Sequence, residues 1–171
     1  LRIDDGFDLY VLVDSLEGVE RLASGMRAHR AGRPLQVMVE KGMAGRRCGL
    51  RDDGDFENVV HAVVREGPAL ELAGVEGYEG IARGGLTAEA LKNVDAYLEQ
   101  LADLMRRTLN WVPSSSRLIA SGGGSFYFDR VVEYLGHSKL PEYQLVLRPV
   151  YLRDPRLPIR RQLLAVWEHL T

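Results

Sequence analysis

The stretch RLIASGGGSFYFDRVVEYLG, residues 117–136, decides the fold. Its first half is a short apolar run, Leu118 to Ala120, that passes through Ser121 into the glycines Gly122, Gly123 and Gly124. Its second half, from Ser125, carries Phe128, Val131, Val132 and Leu135 at spacings of three and four, the period of one helix face. A strand therefore runs through a glycine turn into a helix. Three glycines let the backbone approach a ligand closely and adopt left-handed torsions. The helix that follows offers free N–H groups and the positive end of its dipole, which suits a phosphate. Ser121 and Ser125 add hydroxyl donors. A tight turn that binds nothing uses the same residue types, so both possibilities stand at this point. No Gly-Lys-Ser/Thr follows and the GxGxxG spacing is absent, which excludes a P-loop and a dinucleotide fingerprint.

The same unit recurs along the chain. FDLYVLVDS (7–15) is an apolar run that suits a strand buried on both faces. Asp14 or Ser15 then caps a helix with Val19, Leu22, Ala23 and Met26 on one side. LQVMVEKG (35–42) is a second strand, and the polar loop MAGRRCGLRDDG leads to a helix carrying Phe56, Val59, Val60 and Val63. Gly67-Pro68 stops that helix. LELAGVEGYEG (70–80) is a third strand. Thr87 caps the longest helix, whose stripe is Leu91, Val94, Leu98, Leu101 and Met105. WVPSSS is a loop before the fourth strand. YQLVLRPVYL (143–152) is a fifth strand that Pro149 ends near Arg148, and LPIRRQLLAVWEHL is a final helix.

Strands alternating with helices imply an α/β fold with a parallel sheet and helices outside it. An open doubly wound sheet and a closed eight-fold barrel both meet that pattern. A parallel (β/α) TIM-type barrel takes about 250 residues. The 171 residues are accordingly read as one partial barrel domain, 1–171, of about five or six βα units.

Composition bounds the partners. Lys plus Arg is 22 and Asp plus Glu is 24, a formal charge of −2, so no basic excess points to nucleic acid. The N-terminus, LRIDDGFDLY, has no long apolar run and is expected to be neither a signal peptide nor a membrane span. It begins without Met and close to an apolar strand, which suggests a chain cut from something longer. The single cysteine, Cys48, cannot form a disulfide within the chain, which favours a reducing, cytoplasmic setting. Cys48 is expected to be a small buried packing residue.

In parallel βα folds chemistry gathers where strands end and helices begin. Those positions here are Asp14-Ser15, Glu40-Lys41, the run Glu76 to Gly80, the run Ser121 to Ser125, and Arg148. Helix caps and turns favour Asp, Ser and Gly in any case, so each element is weighed by itself. In GRRCGLR (45–51) one arginine could neutralise a phosphate, while a solvated loop balanced by Asp52, Asp53 and Asp55 explains Arg46 and Arg51 equally well. Tyr78 could line a planar ligand. Glu76 and Glu79 are three residues apart, so the pleat of a strand is expected to turn them to opposite faces. His29, His61, His137 and His169 lie in or at the ends of helices and lack metal-ligand spacing.

Taken together, DLYVLVDSLEGVERLA, VMVEKGMAGRRCGLR, LELAGVEGYEG and LIASGGGSFYFDRVVEYL, in this order, resemble the D-threonine aldolase and D-serine dehydratase (amino acid deaminase) branch of the alanine racemase-like, fold-type III pyridoxal phosphate enzymes. The resemblance runs from about Asp8 to Arg148, and SGGGSFYFD is its most specific piece. It implies that Ser121, Gly123, Gly124 and Ser125 hold the phosphate of pyridoxal 5'-phosphate, that Tyr78 lines its ring, and that Arg47 approaches it. It implies a small D-amino acid substrate, a homodimer, and a divalent metal in the intact protein. Loss of a β-hydroxyl would make the enzyme a dehydratase, and cleavage of Cα–Cβ an aldolase.

The family's Schiff-base lysine lies upstream of anything matching residue 1, and Lys41, Lys92 and Lys139, the only lysines, do not match its context. The Ser-Gly-x-Tyr…His-Asp stretch of the family is replaced by Arg148-Pro149-Val150-Tyr151. The family's C-terminal β domain, source of its zinc ligands, finds no match. The chain as given is therefore expected to be inactive alone. A non-catalytic pyridoxal phosphate-binding protein and an unrelated phosphate-binding α/β domain are the alternatives.

Overall fold

A computed structural model describes residues 9–147 apart from 31, 47, 82–84, 114–117, 123–126 and 137. Five strands form one wholly parallel sheet in the order β1-β2-β3-β4-β5. They are β1 (Tyr10–Val13), β2 (Leu35–Lys41), β3 (Leu70–Gly77), β4 (Leu118–Gly122) and β5 (Tyr143–Leu147). The connections are α1 (Leu16–Ala28), α2 (Asp53–Arg65), α3 (Ala88–Thr108) and α4 (Phe128–Leu135). Short 3₁₀ turns at Glu79–Ile81 and Leu109–Trp111 flank α3.

The strand order separates the two candidate architectures. Crossovers between parallel strands are right-handed, so a sheet whose strands follow in sequence collects its helices on one face. A doubly wound sheet needs a reversal of order, and the described strands have none. One continuous core bears this out. It joins Val13, Val37, Val39, Leu70, Leu72, Val75, Leu118 and Ala120 of the sheet to Val19 and Ala23 of α1, Phe56 and Val63 of α2, Val94 to Met105 of α3, and Val131 and Leu135 of α4. On the other face Tyr10, Leu12 and Val146 of the outer strands are each 40% exposed, whereas Met38 and Glu76 of the inner strands are buried. β1 is therefore shorter than expected and apolar on both faces but buried on only one. The described residues thus form a sequentially wound, wholly parallel α/β sheet with its helices packed on one face.

Helix starts follow local chemistry. Ser15 caps α1 by accepting from the Gly18 N–H at 3.2 Å, Asp52 caps α2 through Gly54 at 2.8 Å and Asp55 at 3.2 Å, and Thr87 caps α3 through Ala90 at 3.2 Å. Each such cap contributes about 1 kcal/mol. The α3 stripe of Val94, Leu98, Leu101 and Met105 is completely buried, with Leu91 partly so, as its spacing requires. The expected final helix and the residues from Arg148 onward lie outside the described residues.

One irregularity resets the faces of β3. Val37 pairs with Leu72 but Met38 pairs with Gly74, so Ala73 is an extra residue, a β-bulge. The bulge reverses the in-out alternation: Leu70 and Leu72 face the helices before it, Val75 and Gly77 after it. Gly74 carries no side chain because a Cβ there would lie 2.0 Å from the Ile119 carbonyl oxygen of β4.

Candidate functional site

Because of the bulge, the strand C-termini present a single line of residues on the open face. Glu40 pairs in register with Glu76, Glu76 with Ser121, and Ser121 with Val146. Glu40 and Ser121 are half-buried and Glu76 is buried. Asp14, one residue beyond β1, accepts a hydrogen bond from the Gly49 N–H at 3.0 Å and so ties the loop after β2 to the first strand.

Glu76 and Glu79 are not separated as a plain pleat would separate them. The strand ends at Gly77 and the chain turns into a 3₁₀ helix at Glu79, so strand parity stops applying. Both carboxylates are buried, and both act on Tyr97, which reaches up from α3. The Tyr97 hydroxyl donates to the Lys41 carbonyl at 2.7 Å across the ends of β2 and β3. Burial, reinforced by Glu76 and Glu79, pushes that hydroxyl far above the ordinary tyrosine value. Gly77 makes room for it: a Cβ there would be 2.6 Å from both the Tyr97 hydroxyl and Leu101.

Of the residues expected at the cofactor, Ser121 stands at the end of β4 on the open-face line. Tyr78 follows β3 and is half-buried, its ring laid against Gly80, where a Cβ would come within 2.4 Å of it. Gly123, Gly124, Ser125 and Arg47 lie outside the described residues. The glycine turn delivers the chain to α4, which begins at Phe128, later than the expected Ser125. Its N-cap, Tyr127, makes no side-chain cap bond, whereas α1, α2 and α3 are all side-chain capped. The Tyr127 hydroxyl instead donates to the Gly85 carbonyl at 2.6 Å, joining the glycine turn to the loop before α3. Uncapped N–H groups at the first turn are where an anion is best received.

The lysines are elsewhere. Lys41 is only 4% exposed, but its side chain runs to the helix side, with Nζ 3.4 Å from Asp53 Oδ1 and 3.4 Å from the Arg51 carbonyl. Lys92 and Lys139 are exposed. Cys48 is exposed rather than buried: its loop folds back so that the Gly49 backbone and the Cys48 carbonyl, not the thiol, lie against Gly42. His29 lies exposed at the end of α1, and His61 packs on Trp111 with ring centroids 3.7 Å apart. No group of three or more His, Cys, Asp or Glu among the described residues could hold a metal, and no described helix is long and apolar enough to cross a membrane. A cavity of about 610 Å³ opens at the other end of the strands, between Tyr10, Gln36, Glu71, Trp111 and Ile119. It lies opposite the strand C-termini where βα folds place their chemistry.

The fold is shared with solved enzymes. D-threonine aldolase from Filomicrobium marinum matches with 20% identity over 84% of this chain and 36% of that one, at a TM-score of 0.57. Alanine racemase from Streptomyces coelicolor matches with 17% identity over 82% of this chain and 33% of that one, at 0.55. D-threo-3-hydroxyaspartate dehydratase, as a cysteine-to-alanine mutant in its metal-free form, matches with 25% identity over 85% of this chain and 36% of that one, at 0.56. D-threonine aldolase and alanine racemase are both named in the resemblance drawn from the sequence. The chain spans about a third of the length of these proteins. No family model and no curated protein matches the chain.

Proposed function

We propose that this chain is the phosphate-holding part of a pyridoxal 5'-phosphate enzyme that acts on a small D-amino acid, as a lyase of the D-serine dehydratase or D-threonine aldolase type. The observation that carries it is the junction of β4 and α4. A half-buried Ser121 precedes, by a glycine-rich stretch, a helix whose N-cap residue Tyr127 makes no side-chain cap bond among the described residues. That arrangement fits the phosphate of the cofactor: a hydroxyl donor, backbone that can come close, and open N–H groups at the positive end of a helix.

In this proposal Ser121 and Ser125 donate their hydroxyls to the phosphate, and the backbone of Gly123 and Gly124 closes around it. Tyr78 flanks the ring and Arg47 neutralises charge on the cofactor. When bound, pyridoxal phosphate supplies an electron sink for charge developing at Cα of the amino acid. The chain's own contribution is to bind and orient. Lys41, whose ammonium is directed to Asp53, offers no amine on the open face, so this chain alone is expected to show no turnover. The same fact favours a second reading, a protein that holds the cofactor without catalysis. A cytoplasmic location, a homodimer and a divalent metal in the intact protein belong to the proposal.

The test is a spectroscopic titration of the chain with pyridoxal phosphate and with pyridoxal, which lacks the phosphate. Reversible binding of the phosphorylated form is expected, tighter by about tenfold or more, since it adds charge-assisted hydrogen bonds. Ser121→Asp, which puts a negative charge beside the phosphate, should abolish it. Equal binding of the two compounds, or none, refutes the proposal. Release of pyruvate from D-serine by this chain alone would refute the assignment of a purely holding role.

A further inference from the structure

We propose that a second anion site, for a small dianion of the phosphate class, lies on the helix side of the sheet in the cleft between the loop after β2 and α3. The cleft encloses about 340 Å³, and its polar lining is Lys41, Arg46 and Arg51 on one side and Asn93, Tyr97 and Gln100 of α3 on the other. Three cations and two amides face this space, and no carboxylate is among the lining residues. Glu40, Glu76 and Ser121 of the open-face line are not among its lining residues, although Glu40, Glu76 and Glu79 act on the Tyr97 hydroxyl at its edge.

Lys41 is the centre of the site. Its side chain is 4% exposed, and an ammonium carries three donors. Its two described contacts, to Asp53 Oδ1 and to the Arg51 carbonyl, are both 3.4 Å. A charge-assisted bond of this kind is ordinarily about 2.7–2.9 Å. Asp53 is drawn the other way, because its second oxygen is 2.8 Å from Arg107. Buried charge is stabilised by close, well-directed partners, and Lys41 is among the residues that line a cavity large enough to admit one. An anion there would complete its coordination. Arg46 is exposed at the rim, and its planar guanidinium suits two oxygens of a phosphate at once. Two guanidiniums and an ammonium partly neutralised by Asp53 around one small space favour an oxyanion with several acceptors, such as phosphate, over chloride. The volume admits free phosphate or a small phosphate monoester.

The inference does not depend on the cofactor proposal, since the two sites use different residues. The test is to titrate the ¹⁵N-labelled chain with inorganic phosphate, and separately with glycerol phosphate, at fixed ionic strength. Saturable shifts are expected at the amides of Gly42, Met43 and Ala44 and of Asn93. Arg46→Ala, at an exposed position that leaves the fold alone, should weaken them about tenfold, the loss of one charge-assisted contact. Ser121→Asp, which closes the glycine turn to phosphate, should leave them unchanged. Tighter binding of glycerol phosphate marks the site as one for a monoester, and tighter binding of inorganic phosphate as one for the free ion. The inference is overturned if shifts are confined to residues 118–128, if they rise linearly without saturating, or if Arg46→Ala leaves them intact.

Discussion

Replacing Gly49 with alanine tests how the loop after β2 is held against the strand ends. Gly49 has φ +89°, and a Cβ there would sit 2.3 Å from the Gly42 nitrogen and 2.6 Å from its Cα. Both are backbone atoms and cannot swing aside. The contact is clamped by Gly42 N–H donating to the Leu50 carbonyl at 2.8 Å and Leu50 N–H donating to the Glu40 carbonyl at 2.9 Å. A left-handed torsion costs a residue with a Cβ about 1–2 kcal/mol. Prising the two backbones apart forfeits both clamping bonds, at about 1 kcal/mol each. Gly49→Ala should therefore destabilise by about 3–4 kcal/mol. Gly45→Ala is the control: φ is +71°, but nothing lies within 4 Å of a Cβ there, so only the torsional part applies. Urea unfolding followed by circular dichroism should separate the two variants by about 2 kcal/mol. By heating, at about 2–4 °C per kcal/mol for a chain of this size, the gap is about 4–8 °C. Equal destabilisation by the two variants would refute the close approach of Gly42 and Gly49.

Phe56→Ala removes a ring that is fully buried under the sheet and should cost about 3–5 kcal/mol, read from the urea midpoint; a loss below 1 kcal/mol would mean that α2 does not pack where described. Tyr97 and Tyr143 are both buried, with hydroxyls donating to the carbonyls of Lys41 and Met105, and burial raises both well above the ordinary tyrosine value of about 10. The folded chain keeps these two protons above pH 10 while the unfolded chain releases them, so stability is full below that pH and falls as pH rises through it. Absorbance of tyrosinate should show the two ionising only together with loss of the helical signal, and a double Tyr97→Phe, Tyr143→Phe variant should flatten the alkaline fall in stability. An unchanged fall would assign it to other groups.

Much of the fold is legible in the sequence because strand and helix patterns are local. The stripe of α3, the caps Ser15 and Thr87, and the run of α2 from Phe56 to Val63 all follow from spacing and side-chain chemistry within a few residues. The site is legible in part: the glycine turn after Ser121 announces itself by composition. What composition could not reach is the orientation of β3. The extra residue at Ala73 turns Glu76 onto the line of Glu40 and Ser121; Gly74 in LELAGVEG is the residue type that marks a bulge or a close approach, but it does not tell which of the two it is or which face follows. Cys48 was similarly hidden, since its exposure depends on the loop folding back onto Gly42.

By itself the sequence determined that strands and helices alternate, that the sheet is parallel, and that a glycine turn meets a helix start at the end of the fourth strand. Only the tertiary structure decided that the winding is one-sided, that Glu76 and Ser121 share a face, and that Lys41 turns away from it toward Asp53. The physical reason is range. Periodicity and capping are set by neighbours three or four residues away, whereas strand order, register and the direction of a buried charge are set by partners far along the chain.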